Sequence, residues 1–175
     1  MQQYYRDIRI SSLYEGTTGI QSQDLLARKV TLQNGKALAL LVDEMMRTIS
    51  LASNYDDLKP YADELLSSLQ LSQKILQKLM PFAMKGNYER YLSDANLFME
   101  YMSIVVMSWL WLEMAVNSKE KITANDLKHS KIFYESKIHT MKFYFKYELP
   151  KTLSLAETLM SDEVLTIKED TEYIV

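Results

Sequence analysis

Residues 97–116 read LFMEYMSIVVMSWLWLEMAV, an almost continuous apolar run that decides how the rest of the chain can fold. The run is about long enough to span a bilayer. However, Glu100 and Glu113 lie within it, and a carboxylate is costly in hydrocarbon. A helix that is apolar on nearly all sides is typically buried in a bundle. We therefore expect the central helix of a helical bundle and no membrane span.

The segments on either side of this run repeat apolar residues at helical spacing, and the scarce glycines and prolines divide them. The predicted helices cover 19–33, 38–52, 58 to about 85, about 88–117, and 133–160. We expect the third to be distorted near its end by Pro81 and closed by Gly86, and the last to be kinked or split at Pro150. We expect Thr17 or Thr18 to cap the first helix and Asn54 to cap the third. Thr123 and Asp126 occupy capping-box-like positions before the last.

No strand-and-turn series and no fixed-period repeat is present in the sequence. The predicted fold class is therefore all-α, an up-and-down bundle of four long helices with an N-terminal loop and helix attached. A length of 175 residues is sufficient for one domain with a substantial core. We leave residues 162–175 as a mobile or extended acidic tail.

Charge and cysteine content exclude several function classes. The net charge of −3 gives the chain as a whole no basic signature for nucleic acid or anionic membrane. The absence of cysteine excludes disulfides, thiolate zinc sites and cysteine nucleophiles. It also fits a reducing compartment, and the N-terminus has no signal-peptide h-region. We expect a cytoplasmic location.

The usual metal and nucleotide signatures are missing as well. His129 and His139 are too far apart for a helical metal pair, and no carboxylate pattern completes a ligand set, so we expect no metal site. Glycine-rich phosphate loops are absent. The 11 methionines and 12 tyrosines favour core packing, with a partner interface as the alternative.

One short stretch, LYEGTTGIQ at residues 13–21, differs from the rest of the chain. Glu15 is followed by Gly16, which has no Cβ to hinder the close approach of a substrate. The hydroxyls of Thr17 and Thr18 and the free N–H groups of a helix start can bind polar or anionic parts of a cofactor. The pattern indicates a base beside a cofactor site, with a capped turn and a solvated glutamate as the alternative.

Residues 4–30, YYRDIRISSLYEGTTGIQSQDLLARKV, resemble the end of the catalytic domain of the flavin-dependent acyl-CoA dehydrogenases. The resemblance lies in Arg6-Asp7-Ile8-Arg9-Ile10 followed by Tyr14-Glu15-Gly16-Thr17. Gly19-Ile20-Gln21 and Arg28-Lys29 are similar to the larger subfamily, which carries an additional C-terminal helical domain. Residues 131–159 resemble the last helices of that domain.

The resemblance implies a reaction and roles for six residues. It implies that Glu15 removes the α-proton of an acyl-CoA while a β-hydride passes to FAD. It also implies substrate contacts for Tyr14 and Gly16, and FAD contacts for Thr17, Thr18 and Gly19. Many smaller relatives have Gln at the position of Gly19, so only a backbone contact is expected there. Electron-transfer flavoprotein is the implied partner, and a homo-oligomer the implied assembly.

The resemblance also implies a division of the chain. Residues 1–33 correspond to the end of the catalytic domain, 34–161 to the accessory helical domain, and 162–175 to a tail. Only 14 residues precede Glu15, so we expect a C-terminal piece of a larger enzyme, either excised or a truncated reading frame. Such a piece alone should be inactive and bind no FAD. The alternative is a non-catalytic helical module for interaction or oligomerisation.

This division has a consequence for packing. Residues near the N-terminus should lack the catalytic domain on which they pack in relatives. The apolar groups expected to lose their partners are Tyr4, Tyr5, Ile8, Ile10, Leu13 and Tyr14.

Overall fold

The computed structural model describes residues 2–12 and 16–167, and within these ranges the ordered elements are helical, without strands. The helices are α1 (Gln2–Ile8), α2 (Thr18–Asp24), α3 (Lys36–Ala52), α4 (Lys59–Met84), α5 (Tyr88–Leu92), α6 (Ala95–Thr123), α7 (Lys131–Tyr147) and α8 (Lys151–Leu159). A 3₁₀ turn, Arg9–Ser12, follows α1, and a π-helical turn, Leu25–Lys29, continues α2. Four helices have 17 or more residues, which confirms the all-α fold class.

Helix α6 lies at the centre of the bundle and contacts α2, α3, α4, α7 and α8. Phe98, Tyr101, Val105 and Leu112 are fully buried along it. The Tyr101 hydroxyl donates a 2.6 Å hydrogen bond to the Ser68 carbonyl oxygen of α4, and burial raises the pKa of this phenol well above its usual value. The buried phenol is thus kept neutral as a hydrogen-bond donor.

By length and composition alone, one helical segment of the described chain, Tyr88–Thr123, could cross a bilayer. A core helix passes the same test, so this is weak evidence for a membrane span. Within the apolar run 97–116, Glu100 is exposed, and Glu113 is partly exposed and lies 3.9 Å from Arg47 of α3. These two carboxylates therefore lie where the bundle leaves α6 open to solvent.

Two helix boundaries lie at the glycine and proline residues where the sequence predicts them. Gln33, Asn34 and Gly35 all adopt positive φ angles and end the first helical segment. Pro150 lies between α7 and α8 and separates them.

Three other details were wrong. The helix predicted over about 88–117 is broken at Ser93 and Asp94, where Asp94 leaves helical geometry, and α6 runs on to Thr123. Asn54 does not cap α4, which starts at Lys59 after the fully buried Leu58 and has a proline in its first turn.

The third error concerns the cap of α7. Thr123 ends α6, and Asn125 adopts a positive φ just after it, so no helix starts there. Ser130 caps α7 instead, its hydroxyl oxygen accepting from the N–H of Phe133.

The two ends of the described chain differ in packing. None of the residues of α1 is buried, and Tyr4, Tyr5, Ile8 and Ile10 are exposed. At the other end, Asp162 forms a 2.7 Å ion pair with Lys78 of α4. This pair lowers the pKa of the Asp162 carboxyl and ties the start of the tail to the bundle.

Candidate functional site

The candidate site is the start of α2 and the loop before it. Leu13, Tyr14 and Glu15 lie outside the described residues. Gly16, Thr17 and Thr18 are exposed, and Gly19 is half-buried in the first turn of α2. The residues expected to contact FAD are thus brought together at one helix end, with open space around them.

The local geometry leaves polar groups free for a ligand. The N–H of Gln21 donates to the Thr17 carbonyl at 3.0 Å, which starts the helix. Within the described part of the chain, the Thr17 side chain makes no capping hydrogen bond. A Cβ at Gly19 would meet nothing within 4 Å, whereas one at Gly16 would meet the side-chain amide of Gln21. This open polar helix start fits the polar part of a dinucleotide.

The helix that follows the motif is fixed to the bundle at Ser22. Ser22 is buried, and its hydroxyl lies 2.8 Å from the Gly19 carbonyl oxygen and 2.5 Å from Oδ1 of Asn96. Asn96 belongs to the first turn of α6. The first turn of α2 is therefore tied directly to the central helix.

A second attachment lies one turn further on, in the π-helical turn. The N–H of Val30 donates to the carbonyl of Leu25 at 3.0 Å, five residues earlier. The Tyr91 hydroxyl of α5 donates to the Leu26 carbonyl at 2.8 Å, and the Leu26 side chain is fully buried in the core. Burial raises the pKa of Tyr91, so the phenol remains a donor. The widened turn directs a backbone carbonyl toward α5.

Another carboxylate near the motif, Asp24, is unsuited to act as a base. Arg28 contacts both of its oxygens, with Nε at 2.5 Å and Nη2 at 2.9 Å. This hydrogen-bonded pair lowers the pKa of the Asp24 carboxyl. A general base needs a pKa raised toward the working pH. Asp24 therefore stays an ionised surface residue.

Two other features of the described chain do not contribute to this site. A surface cavity of about 500 Å³ lies between α4 and the α7–α8 junction, and Gly16, Thr17, Thr18 and Gly19 do not line it. Across residues 2–12 and 16–167, no cluster of three or more His, Asp or Glu side chains could hold a metal ion.

The chain is similar in sequence to known proteins. The sequence model of a family described as acetyl-CoA dehydrogenase C-terminal-like matches residues 41–168. The chain belongs to this family. The matched range covers most of the bundle formed by α3 to α8.

Curated relatives carry related names. The chain is 29% identical over 171 residues to a broad-specificity linear acyl-CoA dehydrogenase of Mycobacterium tuberculosis, covering 93% of this chain. It is 27% identical over 167 residues to a butyryl-CoA dehydrogenase of Syntrophomonas wolfei, covering 90%. A 34-residue stretch is 59% identical to 3-methylmercaptopropionyl-CoA dehydrogenase of Ruegeria pomeroyi, covering 19% of this chain and 6% of that protein. These matches confirm the resemblance to a C-terminal acyl-CoA dehydrogenase region.

The chain spans only part of these relatives, 28% of the Mycobacterium protein and 27% of the Syntrophomonas protein.

Sequence reasoning missed Ser22, Tyr91 and Asn96. No local pattern marks them, because the two contacts join residues 74 and 65 positions apart.

Proposed function

We propose that the chain is the C-terminal part of an FAD-dependent acyl-CoA dehydrogenase, with Glu15 as its catalytic base. The observation that carries this proposal is similarity over nine-tenths of the chain to two proteins named as acyl-CoA dehydrogenases. Tyr14-Glu15-Gly16-Thr17 supplies the residues that such a reaction needs. In this proposal the chain alone is inactive.

The proposed chemistry starts at the carbon next to the thioester carbonyl. Glu15 takes the α-proton, and the bound acyl chain expels water around the carboxylate, which raises its pKa toward neutrality. Gly16 lets the thioester approach the backbone closely, and Tyr14 borders the acyl group. When bound, FAD supplies the acceptor for the hydride that leaves the β-carbon, so that the product is a trans-2-enoyl-CoA.

The remaining site residues hold the cofactor in this proposal. Thr17 and Thr18 offer exposed hydroxyls, and Gly19 offers its backbone only. The bundle serves this site by fixing α2 through the Ser22–Asn96 and Tyr91–Leu26 contacts. Residues 1–33 complete the catalytic domain, 34–161 form the accessory domain, and 162–175 form the tail.

The proposal is tested with the full-length protein. Anaerobic addition of straight-chain acyl-CoA should bleach its flavin absorbance and yield enoyl-CoA. An unchanged flavin spectrum with acyl-CoA of every chain length would contradict it.

The chain alone is expected to purify colourless and to bind no FAD at about micromolar concentration. A few contacts near Thr17 cannot offset the entropy lost when a large flexible dinucleotide is immobilised. Titration of FAD fluorescence measures the affinity, with the full-length protein as the positive control. Co-purification of FAD with the chain, visible as a yellow colour, would show that these 175 residues already form the cofactor site.

Replacement of Gly16 by alanine tests the role of this residue at the substrate site without changing the stability of the fold. Only the flexible end of Gln21 would meet the new methyl group, so the melting temperature should stay unchanged. In the full-length enzyme kcat/KM should fall about tenfold or more, since an extra methyl in a tight contact costs roughly 1–3 kcal/mol. Gln23→Ala, at an exposed position of α2 outside the motif, is the control. Equal activity of both variants would remove Gly16 from the substrate site.

The competing proposal is a helical interaction or oligomerisation module. Its support is the exposure of Tyr4, Tyr5 and Ile8 on α1, which a partner or a second copy would cover. The neighbouring coding sequence separates the two proposals. An upstream in-frame flavin domain favours the dehydrogenase, whereas a start codon with its own promoter favours the module. The dehydrogenase proposal includes acyl-CoA as the substrate and electron-transfer flavoprotein as the partner. It also includes assembly into a homo-oligomer and a cytoplasmic location.

A further inference from the structure

Positive charge is concentrated around α7, in contrast to the rest of this acidic chain. Residues 128–151 contain six lysines and two glutamates. The remainder contains 14 basic and 21 acidic residues. The net charge of the whole chain therefore conceals a basic surface at one helix.

The two faces of α7 differ in packing. Tyr134, Ile138, Met141 and Phe145 are buried against the bundle. The opposite face, which we call the outer face of α7, exposes large apolar groups. These are Ile132 (75% exposed), Phe133 (38%), Phe143 (53%) and Tyr147 (52%). The rings of Phe143 and Tyr147 lie 4.8 Å apart.

Three lysines of α7 form no ion pair within the described residues, and two of them lie over aromatic rings of the outer face. Lys131 and Lys151 pair with Glu135 and Glu148. By contrast, Lys137, Lys142 and Lys146 have no carboxylate within 4.0 Å in the part of the chain that the structure describes. Nζ of Lys137 lies 5.0 Å from the Phe133 ring centre, and Nζ of Lys146 lies 5.4 Å from that of Tyr147. Cations and apolar rings thus share one surface.

We propose that the outer face of α7 is a docking surface for an anionic lipid bilayer. Helices that lie in a membrane interface combine lysines with aromatic and aliphatic side chains on an exposed face. Aromatic rings insert at headgroup level, and lysine stems extend to the phosphates. The face from Ile132 to Tyr147 is about 22 Å long at 1.5 Å per residue, which is enough for several headgroup contacts. This surface goes beyond the proposed function and does not depend on Glu15.

Charge argues against a second copy on this surface. A two-fold pairing of outer faces would bring Lys137, Lys142 and Lys146 of both copies together, and like charges repel. Composition argues against an acidic protein, because lysine is depleted in the cores of protein interfaces. A lipid surface accommodates both the lysines and the rings.

The test is flotation of the 175-residue chain with vesicles of phosphatidylcholine alone or of equimolar phosphatidylcholine and phosphatidylglycerol. We expect binding to the anionic vesicles only, lost at about 1 M salt, where the screening length falls to about 3 Å. The triple variant Lys137→Gln, Lys142→Gln, Lys146→Gln should weaken partitioning on the order of a hundredfold. Phe143→Ser should weaken it about tenfold, because it removes an inserted ring.

A matched triple variant controls for net charge. Lys36→Gln, Lys74→Gln and Lys85→Gln remove three exposed lysines outside α7 and should leave binding unchanged. Circular dichroism confirms that every variant retains its helices. Equal binding to both vesicle types, or equal weakening by the two triple variants, would overturn the proposal. Binding to polyglutamate as tight as to vesicles, with no effect of Phe143→Ser, would assign the surface to an acidic protein.

Discussion

Replacing Glu15, the proposed base, with glutamine in the full-length protein is expected to slow flavin reduction by acyl-CoA at least about a hundredfold. The amide keeps the shape of the side chain but cannot accept the α-proton at useful pH. FAD binding should be nearly intact, because the proposed cofactor contacts belong to Thr17, Thr18 and Gly19. Stopped-flow absorbance measures the reduction step separately from product release.

The control for Glu15→Gln removes a different carboxylate of the same segment. Asp24→Asn breaks only the exposed ion pair with Arg28, which contributes little to stability. In the wild-type chain the ion pair lowers the pKa of the Asp24 carboxyl, so we expect no proton-transfer role for it. Flavin reduction in Asp24→Asn should therefore keep the wild-type rate. Wild-type reduction in Glu15→Gln would show that another group is the base.

The long helices could be predicted because their burial follows a local period. The apolar positions from Leu38 to Ala52 recur on one face, and α3 covers Lys36–Ala52. The break at Ser93–Asp94 could not be predicted in this way. Tyr91 and Ala95 are both buried at helical spacing, so the apolar pattern continues across the interruption. No glycine or proline marks it.

Helix caps were less predictable than helices, because tertiary packing selects among several polar candidates. Thr123 at the end of α6, and Asp126 and Ser130 after it, each have a side chain able to cap a helix. Continuation of α6 to Thr123 leaves only Ser130 directly before α7. The extent of the preceding helix, set by its packing, therefore decided the cap.

The candidate site was predictable only in part. Thr17, Thr18 and Gly19 do lie together at a helix start, as their adjacency in sequence requires. The attachment of that helix to the bundle depends on contacts between distant residues, and spacing carries no information about them. The roles of Glu15, Tyr14 and Gly16 stay predictions that rest on resemblance.

Leu26→Ala is expected to destabilise the chain by about 2–5 kcal/mol, the usual cost of a cavity in a packed core. Leu26 is fully buried, and it is the point at which the segment after the motif enters the core of the bundle. Its carbonyl also accepts the Tyr91 hydrogen bond, so a shift of the π-helical turn strains that contact as well. Chemical denaturation measures the free energy of unfolding.

Hydrogen exchange should show which residues lose stability in Leu26→Ala. Exchange of residues 18–30 in Leu26→Ala should accelerate more than exchange of α7, because the shortened side chain belongs to this segment, whose π-helical turn packs on α6. Leu32→Ala is the matched control, since Leu32 is 43% exposed, and it should change stability by less than about 0.5 kcal/mol. If the two variants are equally stable, residues 18–30 do not depend on the bundle for their structure. The accessory domain would then lose its proposed role of fixing the helix that follows Glu15, even if Glu15 is the base.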